Sequence, residues 1–169
     1  MSDESRPTTA GAARVAVICG SRTDIPALEA ALTALDDLGV GHELRVISAH
    51  RAPDLLTRYV AEAEARGIEV FICAAGLAAH LPGVVAAHTT RPVIGVPMPG
   101  GVADGLDALL SVVQMPKGVP VATVGVGNAV NAAILAAQIL ALGDPITRER
   151  VDAHRRGQRE AILEDPTNR

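Results

Sequence analysis

RVAVICGSRTDIPALEAALTALDDLGVGHELRVI, residues 14–47, decides the fold. RVAVIC is a short apolar, β-branched run, IPALEAALTALDDLG carries its apolar residues at helical spacing, and HELRVI is a second strand-like run. The alternation continues through PDLLTRYVAEAEARG, EVFICA, LPGVVAAHT, RPVIGVP, ADGLDALLSVV, VPVATV and NAVNAAILAAQILALG. Strands that are almost all Val, Ile and Ala must be covered on both faces, and crossover helices supply that cover for a parallel sheet. The expectation is an α/β fold: a three-layer αβα sandwich with a doubly wound, flavodoxin-like sheet of about five strands.

At 169 residues the chain fits one domain, and 49% hydrophobic against 20% charged residues argues for a folded core. Trp is absent and the aromatic residues are Tyr59 and Phe71 alone, so small aliphatic side chains must fill that core. A net charge of −4, with no basic run and no aromatic stacking platform, excludes a nucleic-acid groove. Residues 1–13 are polar and rich in small residues, without the apolar segment of a signal peptide, and read as a flexible arm. Cys19 and Cys73 read as buried thiols rather than a disulfide, and the cytoplasm is the expected compartment with no membrane partner.

Open parallel sheets bind ligands beyond the carboxyl ends of their strands, so those ends are where chemistry is sought. The first reads Gly20-Ser21-Arg22-Thr23-Asp24, the second Ser48-Ala49-His50-Arg51, and the third runs from Ala74-Ala75-Gly76 to His80-Leu81-Pro82-Gly83. Asp24 before Ile25-Pro26 has the pattern of a helix N-cap, while Gly20 and Ser21 offer an anion amides and a hydroxyl at a helix start. Both readings of that loop stand. In the second loop Ser48 and Arg51 precede the helix-starting Pro53 and suit a phosphate, with an exposed ion pair as the alternative for Arg51. Imidazole is the side chain whose ordinary titration range suits proton transfer near neutrality, which nominates His50 over a purely packing role.

His80 brings a second imidazole to an adjacent strand end, whereas His42, His88 and His154 fall outside these loops. Two imidazoles without a neighbouring carboxylate or thiol are a poor zinc set, and no metal is expected. The fourth strand end, Pro97-Met98-Pro99-Gly100-Gly101, carries little side-chain chemistry and reads as a flexible lid. GVGNAV, residues 125–130, has valine where a dinucleotide fingerprint needs its third glycine, and no GxSxG elbow occurs.

The segments GSRTD, SAHRAPD, AAHLPG, GVP and SVVQMP together resemble the successive motifs of the class I N5-carboxyaminoimidazole ribonucleotide mutases, the PurE family, over about residues 15–140. The resemblance implies a cofactor-independent isomerase of purine biosynthesis that moves a carboxylate from the exocyclic N5 to ring carbon C4, through decarboxylation, trapped CO2 and recarboxylation. It implies that Ser21, Asp24, Ser48 and Arg51 hold ribose and phosphate, that Thr23 and Ala49 also bind the substrate, and that His50 carries the proton. His80, the second catalytic residue, would line the carboxylate pocket with the backbone around Ala75 and Gly76, and Leu81 is a further substrate-binding residue. The family's third loop usually has glycines where this chain has Ala74 and Leu77, and leucine does not take a positive φ cheaply. A direct aminoimidazole ribonucleotide carboxylase, a relative acting on a related nucleotide, and a non-catalytic nucleotide-binding module are the alternatives.

NAVNAAILAAQILALG is apolar nearly all round and calls for burial on more than one side, which a subunit interface would supply. After Gly143-Asp144-Pro145, the charged amphipathic segment that follows gives a division into an α/β domain over 14–143 and a helical tail over 144–169. Ile146, Val151 and Ile162 are its candidate docking residues. The resemblance implies a homo-octamer with such tails packed across subunits, working after an ATP-dependent synthase that makes the N5-carboxylated nucleotide.

Overall fold

The computed structural model describes residues 12–168; the arm expected over 1–13 lies almost wholly outside them. Five strands alternate with helices: β1 Val15–Cys19, α1 Ile25–Asp37, β2 His42–Val46, α2 Pro53–Arg66, β3 Val70–Ala75, α3 Leu81–His88, β4 Val93–Pro97, α4 Leu106–Val113, β5 Ala122–Thr123 and α5 Ala129–Leu140. A last helix, α6, spans Pro145–Glu164. The sheet has the order β2-β1-β3-β4-β5 and every pairing is parallel. This is the flavodoxin-like winding, with its switch point between β1 and β3.

Alternate residues of each strand feed opposite layers. Val15, Val17, Val70 and Ile72 pack with α1 and α5, whereas Ala16, Ile18, Phe71 and Cys73 pack with α2, α3 and α4. β1 and β3 are buried along their whole length, as the unbroken apolar runs require. At Gly95 the absent side chain lets Val112 of α4 lie directly on β4. β5 is far shorter than VPVATV suggests: only Ala122 and Thr123 pair with β4. Pro120 has no N–H for a ladder, and the strand ends the sheet.

Part of the all-round apolarity of α5 is answered within the chain. Its Ala132, Ala133, Ala136 and Ala137 are buried, and the half-buried Ile134, Leu135 and Ile139 pack on the same core layer. The tail α6 crosses the same side, capped by Asp144, whose carboxylate accepts from Ile146 N at 3.0 Å, Thr147 N at 3.2 Å and Thr147 Oγ1 at 2.7 Å. Val151, expected to dock on a neighbour, instead packs on its own core, and Arg150 donates to the Gly39 carbonyl at 3.0 Å. Ile146 and Ile162 are exposed. Among the described residues no helix is long and apolar enough to cross a membrane.

Candidate active site

The loops after β1, β2, β3 and β4 surround one cleft of about 550 Å³ at the carboxyl edge of the sheet. Ser21, Thr23, Asp24, Ser48, Ala49, His50, Arg51, Ala75, Gly76, His80 and Leu81 all line it, so the residues nominated from the sequence for catalysis and substrate binding converge there. Gly20, Leu77, Ala78, Met98 and Pro99 line it too. Leu81 is nearly buried and belongs mainly to the α2–α3–α4 layer, offering the cleft only an apolar floor.

Each loop is shaped by its own short-range bonds. Ser21 is extended (φ −147°, ψ 149°) and caps a 3-10 turn over Arg22–Asp24, its Oγ accepting from Thr23 N at 3.3 Å and Thr23 Oγ1 at 2.8 Å. Both acceptances leave the Ser21 O–H as a donor toward the cleft. Asp24 does not cap α1: its backbone is already helical (φ −85°, ψ −16°), so the carboxylate cannot fold back over the first amides. The carboxyl group stands in the cleft wall instead, where burial raises its pKa and the Ser21 backbone contact offsets part of that rise. Below it, burial first and the Asp24 charge second push the Cys19 thiol up to about 11, and its S–H donates to the Ser21 carbonyl at 3.3 Å. Cys19 is therefore a packing thiol, not a nucleophile.

In the second loop the Ser48 hydroxyl accepts from Arg51 N at 3.3 Å, and the Arg51 Nη2 reaches across to the Gly20 carbonyl at 2.9 Å. Among the described residues Arg51 makes no ion pair; one edge of its guanidinium ties the first two loops together and the rest faces the cleft. The exposed ion pair that the sequence left open for Arg51 is absent there.

His80 occupies the N-cap position of α3 without any capping bond, which leaves its ring for another partner. That partner is His50: Nε2 of His50 and Nδ1 of His80 are 2.7 Å apart, with the rings edge to face and their centroids 4.9 Å apart. Such a contact needs one N–H and one lone pair, so the tautomer of one ring fixes that of the other. The sequence had brought both histidines to one crevice but not to a direct bond.

What positions His80 is Leu77. It sits in the left-handed region (φ 54°), a conformation costing a leucine about 1–2 kcal/mol, and the turn it makes lets Ala79 N donate to the Leu77 carbonyl at 2.9 Å and His80 N to the Ala78 carbonyl at 2.7 Å. The backbone the family resemblance assigns to glycine is thus kept with a side chain attached. The fourth loop lies against this turn: Met98 N donates to the Ala75 carbonyl at 2.9 Å, and Met98 Cβ covers Gly76. Far from being bare of side-chain bonds, it is braced by Asp104 Oδ1 accepting from Gly100 N at 2.9 Å and Asp107 Oδ2 accepting from Val102 N at 3.2 Å. Among the described residues no group of three His, Cys, Asp or Glu side chains converges as a metal-binding set.

Chemically, the cleft has hydroxyls and a guanidinium on one wall, an imidazole pair at its side and an apolar wall of Leu77, Met98 and Pro99. The chain is 50% identical over 93% of its length to the N5-carboxyaminoimidazole ribonucleotide mutase of Pseudomonas aeruginosa, covering 98% of that protein. It is 52% identical over 86% of its length to the mutase of Pyrococcus abyssi, covering 83% of it. It is also 47% identical over 88% of its length to the chloroplastic phosphoribosylaminoimidazole carboxylase of Vigna aconitifolia, of which it spans 27%. The crystal structure of Treponema denticola PurE superposes with a TM-score of 0.84 at 28% identity, covering 90% of this chain and 96% of that one. Since residues 14–161, the sheet and the loops around the cleft included, match the family described as AIR carboxylase, the chain belongs to that family.

Proposed function

We propose that the protein is an N5-carboxyaminoimidazole ribonucleotide mutase, converting N5-carboxyaminoimidazole ribonucleotide to 4-carboxyaminoimidazole ribonucleotide. The observation that carries the reading is the His50–His80 contact in a cleft whose other wall holds Ser21, Ser48 and Arg51. Arg51 and the two hydroxyls bind the phosphate by charge-assisted and neutral hydrogen bonds, and Asp24 and Thr23 take ribose hydroxyls. Ala49, Ala75 and Gly76 bring backbone close to the heterocycle without a side chain that would fill its place.

The reaction then needs one proton moved and none consumed. The carbamate N–C bond breaks, its electron pair returns to the exocyclic nitrogen, and CO2 is released beside the ring. C4 attacks the CO2 carbon to form the new C–C bond, and the proton lost from C4 replaces the carboxylate on nitrogen. His50 takes the proton from C4 and gives it to nitrogen, and His80 orients the ring that does so through the 2.7 Å contact. The pocket must be dry while CO2 is uncombined.

The Vigna aconitifolia relative favours a second reading, direct carboxylation of aminoimidazole ribonucleotide. Incubation with the N5-carboxylated nucleotide, and separately with aminoimidazole ribonucleotide plus bicarbonate, tests both: turnover of the first at low bicarbonate is expected. Activity only in the second arm replaces the mutase by the carboxylase, and binding without turnover in either leaves a nucleotide-binding module. An upstream ATP-dependent synthase as supplier and a cytoplasmic setting belong to the same proposal. So does a homo-octamer, with residues 144–169 as the tail of the 14–143 domain packed on a neighbour. The exposed Leu142, Ile146, Ile162 and Leu163 support such an assembly, and light scattering that gives a monomer would remove it.

A further inference from the structure

Two strained pieces of backbone meet at the mouth of the cleft. Leu77 holds φ 54°, and in the fourth loop Ala103 (φ 46°) and Asp104 (φ 52°) hold the same left-handed region, among Gly100, Gly101 and Gly105, which take positive φ without strain. Such strain persists only where the surroundings over-determine it. Here the surroundings are explicit: Asp104 and Asp107 pin Gly100 N and Val102 N, and Met98 N is bonded to Ala75 of the third loop. The Leu77 side chain completes the join. A Cβ added to Gly101 would stand 2.8 Å from Leu77 Cδ2, so the leucine lies in the space that a side chain at that glycine would need. Leu77 is nevertheless 61% exposed, so burial in the folded core does not account for an aliphatic side chain at a position that glycine would occupy without strain.

Resting on the mutase reading above, we propose that Leu77 is a positioning residue that clasps the fourth loop to the third and keeps CO2 beside the ring between the two bond-making steps. CO2 is small, uncharged and apolar, so no salt bridge holds it; what holds it is a dry apolar barrier across its way out. Leu77, Met98 and Pro99, on the loops after β3 and β4, supply that barrier, while Ser21, Ser48 and Arg51 stand on the loops after β1 and β2. The chemistry retained is the one already written: carbon leaves nitrogen as CO2 and reaches C4 without mixing with solvent.

The test uses N5-carboxylated nucleotide carrying 13C in its carboxylate, turned over in unlabelled bicarbonate with carbonic anhydrase present and corrected with an enzyme-free control. Mass spectrometry of the product reads the label kept. The native chain is expected to keep nearly all of it; Leu77→Gly and Leu77→Ala should lose label about threefold or more faster, with aminoimidazole ribonucleotide accumulating. Leu77→Met, which restores an apolar arm, should recover most of the retention. Leu77→Gly relieves the left-handed strain, so its Tm should be equal or higher; a merely structural leucine would move Tm and leave the label alone. Native-like retention in both truncated variants, or equal leakage from the native chain, overturns the clasp while the mutase reading stands. A native chain that makes no product from this nucleotide overturns the mutase reading and the clasp with it.

Discussion

At the amino ends of the strands Arg14 is locked between Glu69 at 2.6 Å and Asp144 at 2.7 Å; at the carboxyl ends Arg51 is bonded to the Gly20 carbonyl at 2.9 Å and faces an open cleft. Hydrogen bonding to Glu69 is the largest influence raising the Arg14 pKa, and Asp144 adds to it against the opposing effect of burial. One edge of the sheet spends its charges on itself and so fixes β1, β3 and α6 together. The other leaves a cation, two hydroxyls and an imidazole pair turned toward a ligand. The same residue types thus serve stability at one edge and recognition at the other, and what separates them is whether a carboxylate of the chain already completes the cation.

The sharpest way to break this comparison is His50→Asn. Loss of a positioned proton carrier should lower turnover by roughly 10²–10⁴-fold. His50 is exposed and, among the described residues, its ring bonds only His80, so the unfolding transition should stay where it was. Native-like kinetics would take His50 out of the chemistry; a collapse of Tm would make the pair a structural element like those of the opposite edge. His80→Ala, leaving His50 present but unoriented, should give a smaller loss carried mainly by kcat.

The two arginines give the next largest effect. Arg51→Ala should raise Kd for the phosphorylated nucleotide roughly 10–100-fold with little change in Tm. Arg14→Ala should do the reverse, leaving Kd alone and lowering Tm, because Glu69 and Asp144 lose their shared partner. Isothermal titration and thermal melts on both proteins decide it. Matching effects on Kd from the two would mean that the edges are not functionally distinct.

The winding of the sheet was readable because β1, β3 and β4 are unbroken apolar runs, a pattern imposed by burial on both faces. Ser21, Ser48, His50, Arg51 and His80 were readable as a site because a parallel sheet sends consecutive strand ends to one crevice. What stayed hidden depends on torsions that letters do not carry. Asp24 has the composition of a cap, yet Ser21 three residues earlier is the extended residue that can act as one. The His50–His80 bond joins loops 30 residues apart, and although Leu77 stands where the resembling family has glycine, its letter does not say that the left-handed backbone is kept. Val151 reads as a residue for docking on a neighbour until α6 is seen crossing the α5 layer. Met98 and Pro99 read in the sequence as parts of a lid with little side-chain chemistry, although both line the cleft with apolar surface.

The smallest effect sharpens the comparison with two carboxylates shifted in opposite directions. Asp144, at the amino edge, has its pKa lowered from 3.8 to about 2, first by the Thr147 hydroxyl, then by the Thr147 amide and by Arg14. Its contribution to stability is therefore complete above 3.8 and disappears as the pH falls from there toward 2. Asp24, at the carboxyl edge, has its pKa raised by burial, so the folded protein favours its neutral form; that preference is complete below 3.8 and is lost as the pH rises through the raised value. Asp144→Ala should lower Tm at neutral pH by roughly 2–4 °C and flatten the acid limb of the Tm profile, since the group that titrates there is gone. Asp24→Asn should leave the acid limb in place and raise Tm slightly at neutral pH, because a charge that burial disfavours has been removed. Melts of the three proteins between pH 2 and 7 would show the curves converging in acid for Asp144→Ala and separating toward neutrality for Asp24→Asn. Parallel curves would mean that the carboxyl edge is as internally satisfied as the amino edge, and the contrast between them would fail.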